Sequence, residues 1–129
     1  MMRLDHMLLE VDDVQVTLDF YMKVLGFTDG GPDGPFHMLR VNADTVLVLA
    51  PRHTPALVHL AFAMERDEFD AALGRIKAAN VEYGDAFDKV GNNQGPAAES
   101  GAHGKTKSVY LYDPDKNLIE ICYYEPVAA

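Results

Sequence analysis

The sequence predicts a single α+β domain built from two similar modules that roll together into an open, barrel-like cleft. Three observations predict it. Each half opens with a short Leu/Val-rich run that leads into a helix-spaced segment, and each half closes in a pair of β-rich runs joined by a polar turn. A histidine also stands at the same place in the opening strand of each half, His59 lying 53 positions after His6.

In the first half, Leu4 to Val11 reads as a strand, and Asp12 or Asp13 can cap the helix that follows. Val14, Leu18, Tyr21, Met22 and Leu25 recur at helical spacing, and Gly26 is a C-terminal stop. Gly30, Gly31, Pro32, Gly34 and Pro35 read as a loop. Phe36 to Val41 and Thr45 to Ala50 then form a hairpin around Asn42-Ala43-Asp44, so the residues themselves predict βαββ. The second half repeats the plan. Leu57 to Met64 is a strand, and Asp67 is placed as the cap of a helix with the stripe Phe69, Leu73, Ile76 and Lys77, ended by Ala79-Asn80-Val81. The stretch from about Val90 to Lys105 is rich in Gly, Asn and Pro and reads as a lid, a clamp or a tether. Thr106 to Tyr112 and Asn117 to Tyr124 close the chain as a hairpin around Asp113-Pro114-Asp115-Lys116. The modules run from about 1 to 52 and from about 55 to 126, inside one domain spanning 1–129.

Composition narrows the function classes. The chain has 129 residues, of which 48% are hydrophobic, enough for one real core. Its 20 acidic and 11 basic residues give a formal charge of -9, which repels nucleic acids and anionic membranes and favours a small-molecule or protein partner. The lone cysteine, Cys122, cannot form an internal disulfide, and no signal-like or membrane-length apolar run is present, so a reducing cytoplasmic setting is expected.

The chemistry-bearing residues are His6 and His59, one in each opening strand, and Glu120, an acid among the apolar residues of the last strand. Residues two apart share a strand face, so Glu120 goes with Leu118 and Cys122, while Ile119 and Ile121 face the helices. Taken alone, each histidine also reads as a hydrogen-bonded structural side chain, and Glu120 as a solvated carboxylate. Together, two neutral imidazoles and one carboxylate make a facial triad that leaves positions open on a divalent metal. His103, in the long loop, is a candidate general acid or base and equally an exposed loop residue. His37 and His53 carry no usable pattern.

Leu4-Asp5-His6, Asp19-Phe20-Tyr21 with Val24-Leu25-Gly26-Phe27, His59-Leu60-Ala61-Phe62, and Tyr112-Asp113-Pro114-Asp115-Lys116-Asn117-Leu118-Ile119-Glu120 resemble the vicinal oxygen chelate superfamily. That superfamily includes glyoxalase I, fosfomycin-resistance transferases, extradiol dioxygenases and bleomycin-resistance proteins. The resemblance covers nearly the whole chain, and Lys116 stands where the final motif usually has glycine. It implies paired βαβββ modules, eight strands in all, and one divalent ion per site (Fe2+, Mn2+, Zn2+ or Ni2+) on His6, His59 and Glu120. It also implies a homodimer, in which strands can be exchanged between subunits. Glyoxalase I carries a fourth ligand, usually glutamate, in the strand that ends the first module; Thr45 to Ala50 contains no carboxylate. The fosfomycin-resistance and extradiol branches place a tyrosine ten residues before the glutamate, which maps onto Tyr110. There a phenol can stabilise negative charge on a substrate oxygen, or simply pack at the rim. The arginines that fosfomycin-resistance proteins carry beyond the last strand are missing from Tyr123 to Ala129. Ser108 shares a strand face with Tyr110 and is read, with Tyr110 and His103, as substrate-binding. The function implied is a lyase, isomerase or ring-cleaving dioxygenase acting on a small substrate through two neighbouring oxygens. The alternatives are a metal-free ligand-sequestering protein of the bleomycin-resistance type and a regulatory subunit that only dimerises.

Overall fold

The computed structural model describes residues 4–52 and 57–126; His53 lies outside them. The chain divides into two compact units, which part between Ala56 and Leu57. The first contains β1 (His6–Val11), α1 (Val14–Leu25), β2 (Thr28–Asp33), β3 (Phe36–Arg40) and β4 (Val46–Pro51). Its sheet has the order β1-β4-β3-β2, with β1 parallel to β4 and the other pairs antiparallel.

The first helix starts at Asp13, whose carboxylate accepts the Val16 N–H at 3.1 Å. It stops at Gly26, whose backbone is left-handed (φ 76°) and whose N–H reaches Tyr21 O. Thr17, Leu18, Tyr21, Val24 and Leu25 are the buried stripe, at helical spacing. Met22, expected in that stripe, is 38% exposed, and Val24 takes its place. The stripe covers the sheet face that carries Leu9, Val11, Leu39, Leu47 and Leu49, all buried.

The Gly/Pro segment expected as a loop is the edge strand β2, so this unit is βαβββ. Its sequence has little strand propensity, and pairing with β3 makes the strand. A Cβ on Gly30 would collide with Met38, and Gly31 (φ 89°) lies at a register shift, so the glycines fit the close approach and the bulge. Asp29 Oδ1 accepts the Gly31 N–H at 2.8 Å and meets His37 Nε2 at 2.6 Å.

The second unit contains β5 (His59–Ala63), α2 (Arg66–Ala78), β6 (Tyr83–Gly84), β7 (Ala97–Gly101), β8 (Gly104–Tyr112) and β9 (Leu118–Tyr124). Its sheet has the order β5-β9-β8-β6, and β7 also pairs with β8. The N-cap of α2 is Glu65 rather than Asp67, which falls in the first turn. The Glu65 N–H donates to Glu68 Oε1 at 3.4 Å. Phe69, Ala72 and Ile76 are buried, whereas Lys77, expected in the stripe, is exposed. Part of the expected lid segment is strand: β7 and the turn at Ala102-His103 form a hairpin with β8. The described residues therefore hold four strands in the first unit and five in the second, one more than two βαβββ modules require.

The turn between β8 and β9 is built from its side chains. Asp113 Oδ1 accepts the N–H groups of Asp115 and Asn117, and Oδ2 accepts from Asn117 Nδ2, each at 2.9 Å. Asn117 Oδ1 accepts the Val58 N–H at 3.0 Å, fastening β5 to the start of β9. Lys116 sits at φ 70°, the left-handed region in which glycine is cheapest, so its departure from the usual motif carries a small backbone cost.

Two outcomes follow from these arrangements. Asn117→Ala strands the Val58 N–H and removes the Asn117 donor to Asp113 Oδ2, and is expected to cost about 2–4 kcal/mol in urea unfolding; a loss under about 0.5 kcal/mol would contradict this role. The Asp29 carboxyl is held below its usual value, first by His37 and then by the Gly31 N–H. A depressed carboxyl contributes stability above the ordinary carboxylate range and loses it as the pH falls through its folded value. Asp29→Asn should therefore lower Tm at neutral pH, and its gap from wild type should narrow towards about pH 3; a gap independent of pH would be the wrong result.

Candidate metal centre

The parallel pairing of β5 with β9 sets the site in the second unit. His59 is in register with Leu118, and Ala61 with Glu120, so His59 is the diagonal neighbour of Glu120 on one sheet face. Ala61 beside Glu120 is small enough to leave the imidazole room. Glu120 is buried at 7% exposure, and its Oε1 lies 3.2 Å from His59 Nε2.

The other carboxylate oxygen, Oε2, accepts the Ser108 hydroxyl at 2.8 Å. Ser108 Oγ also lies 2.8 Å from Thr106 Oγ1. An ionised carboxylate only accepts and a hydroxyl has one proton, so Ser108 donates to Glu120 and Thr106 donates to Ser108. Thr106 and Ser108 are both fully buried. The sequence singled out Ser108 and missed Thr106, although the two-residue alternation 106, 108, 110 puts all three on one face.

Tyr110 is in register with Glu120 and 5% exposed, and its ring centroid lies 6.2 Å from that of His59. Burial raises its phenol pKa, and the Glu120 charge, that of Glu99 and a hydrogen bond to Glu120 raise it further. The Cys122 thiol is pushed up by burial and by the same carboxylate. Both groups hold their protons at neutral pH.

His6 opens β1 of the first unit. Its Nδ1 lies 2.8 Å from Asp5 Oδ2, with side chains 60% and 87% exposed. A pair this exposed adds little stability, but in the neutral ring the carboxylate claims the Nδ1 proton and leaves the Nε2 lone pair available. That is how a carboxylate orients a metal-ligating histidine. The two sheets also repeat each other in register: His6 pairs with Val46 as His59 pairs with Leu118, so Val48 is the counterpart of Glu120. The acid is present in one copy of the repeat only.

The second unit thus brings together His59, Glu120, Ser108 and Tyr110. His103 lies elsewhere in it, at the β7–β8 hairpin tip, where its N–H donates to Tyr124 Oη at 3.1 Å. Tyr124 is four strand positions from Glu120, roughly 13 Å along β9. Among the described residues no group of three or more His, Cys, Asp and Glu side chains stands ready-made around one point.

The donor set of the pair fits a divalent ion. Imidazole nitrogen and carboxylate oxygen bind such ions at about 2.0–2.2 Å, so two of them on one ion stand roughly 3.0 Å apart at a right angle and about 3.4 Å apart at a tetrahedral one. The separation of 3.2 Å falls between these values. The same ring nitrogen and oxygen also suit a direct hydrogen bond when no ion intervenes.

The chain and its fold are similar to those of several known proteins. Virulence protein STM3117 of Salmonella typhimurium is 29% identical, across 95% of this chain and 84% of that protein. Its crystal structure matches with a TM-score of 0.76, covering 97% of this chain and 98% of the other. A lactoylglutathione lyase of Escherichia coli O157:H7 is 28% identical, across 93% of this chain and 91% of the enzyme. An integron cassette protein from the mobile metagenome of V. cholerae is 25% identical with a TM-score of 0.78, covering 97% of each chain. A profile of one family matches residues 3–121, nearly the full length. The chain belongs to the Glyoxalase/Bleomycin resistance protein/Dioxygenase superfamily.

Proposed function

We propose that the chain is a metal-dependent lyase, isomerase or dioxygenase whose small substrate presents two neighbouring oxygens to one divalent ion held by His6, His59 and Glu120. The observation that carries this reading is the His59 Nε2 to Glu120 Oε1 separation of 3.2 Å on a buried carboxylate. Kinship supports it too: a lactoyl group, named in the similar lyase, bears its hydroxyl and carbonyl on adjacent carbons. His6 is the third ligand, given by the first unit of the same chain or of a homodimer partner. The candidate ions are Fe2+, Mn2+, Zn2+ and Ni2+, and a reducing cytoplasm suits both the ion and the free Cys122. When bound, the ion supplies Lewis-acid polarisation of the substrate oxygens.

The protein's own groups do the rest. Ser108 and Thr106 hold one oxygen of Glu120 by a directed pair of hydroxyl bonds, which keeps the other oxygen towards His59. Asp5 holds His6 in the tautomer with a free Nε2. Tyr110 keeps its proton and can turn it from Glu120 to negative charge growing on a substrate oxygen. The β-sheet behind Glu120, with Ile119 and Ile121 fully buried, keeps water from that side of the carboxylate.

Elemental analysis after dialysis against each ion is expected to find one ion per site in wild type and a loss of affinity of at least about a hundredfold in His59→Ala and in His6→Ala. Undiminished ion binding by either variant would exclude its histidine as a ligand. Ligand binding that persists with no ion at all would favour the sequestering alternative. Ser108→Ala should weaken the ion about 10–100-fold while the fold is kept, because the carboxylate loses its orienting donor. Tyr110→Phe should lower kcat by about a hundredfold with little change in ion affinity. Equal ion affinity in wild type and Ser108→Ala, or an unchanged kcat in Tyr110→Phe, would remove that residue from the account.

A further inference from the structure

The face of the first unit's sheet turned away from α1 carries a hollow of ≈ 570 Å³, within the size range of small-molecule sites. Its floor follows from the register. His6, Val46 and Arg40 lie in one row across β1, β4 and β3, and Leu8, Val48 and Met38 in the next. Leu8 is 54% and Phe36 38% exposed, an apolar floor open to a ligand.

Arg40 is the cation of this hollow. None of the ion pairs or hydrogen bonds among the described residues engages its side chain. An arginine guanidinium presents a planar fork that matches a carboxylate. It belongs to an interior strand, two strands from β1, so its Cα is roughly 10 Å from that of His6 at about 4.8 Å per strand. Asp33 and Asp44 line the same hollow, and Asp5 is committed to His6. Those carboxylates, with the formal charge of -9, oppose a second negative group on the ligand.

We infer that Arg40 selects substrates with a compact apolar body and a single carboxylate: the carboxylate meets the guanidinium, the body lies over Leu8, Met38 and Val48, and the far end reaches His6. This inference rests on reading His6 as part of the substrate site and adds the class of molecule that the site takes.

The test uses 3-phenylpropanoate and its uncharged amide, two probes of one shape that differ in the carboxylate. Each is titrated by NMR into the full-length protein freed of divalent ions by chelator, following the Arg40 side-chain N–H and the methyls of Leu8 and Met38. Wild type should bind the acid at least about threefold more tightly than the amide, the size expected of a partly solvated ion pair. Arg40→Leu should bring that ratio to about one, and Arg40→Lys should keep part of it. If Arg40→Leu does not fold, Arg40→Gln takes its place. A ratio near one in wild type, a ratio that survives the loss of Arg40, or shifts that avoid Leu8 and Met38 would overturn the inference. Because no ion is present, failure of ion binding at His59 and Glu120 leaves this result standing, and the two failures can be told apart.

Discussion

A carboxylate buried in a β-sheet must be answered by donors, and Glu120 is the charge on which the rest of this site depends. Taking an ionised group out of water costs several kcal/mol unless hydrogen bonds or an opposite charge replace the lost hydration. Ser108 answers one oxygen and His59 faces the other. The direction of the Thr106, Ser108, Glu120 chain follows from proton counting alone, and it makes two buried hydroxyls part of the support of one acid. The raised phenol of Tyr110 and the raised thiol of Cys122 are further effects of burial beside the same charge.

The fold delivers this carboxylate through register. Parallel pairing of β5 with β9 brings His59 diagonal to Glu120, and Asn117 pins that pairing by holding the Val58 N–H where β5 begins. The first unit repeats the pairing with β1 and β4, but places Val48 where the second unit has its acid. Duplicated architecture therefore offers two equivalent histidine positions and only one carboxylate. One sheet thus has a polar, hydroxyl-lined face and the other an apolar face that carries His6 and Arg40.

Much of this was legible in the residues, and the failures have physical causes. The capping of α1 by Asp13, the stop at Gly26, the hairpin of β3 and β4, and the strands around Asp113 to Asn117 follow from local chemistry and alternate patterning. The strands β2 and β7 were not legible because their glycines, prolines and small polar residues have no strand preference of their own; partners β3 and β8 impose the conformation. Each helix stripe was read with one residue misplaced, where the stripe could turn either way: Met22 is exposed and Val24 buried, Lys77 exposed and Ala72 buried. At the site, the repeat offset pointed to both histidines, the apolar surroundings in the last strand singled out Glu120, the family resemblance pointed to Tyr110, and alternation pointed from Tyr110 to Ser108. The contact between His59 and Glu120 depends on cross-strand register, which no local pattern encodes, whereas Thr106 was within reach of the same alternation that gave Ser108.

If His6 and His59, with Glu120, hold one ion, both imidazoles must bind it through Nε2. The most direct measurement is a Zn2+ titration of protein labelled with 15N-histidine, followed by long-range 1H–15N correlation of the imidazole rings. The account predicts that the Nε2 signals of His6 and His59 move together and saturate at one ion per site, while those of His37 and His103 stay in place. Movement of only one of the two, or of His37 or His103 instead, would contradict it.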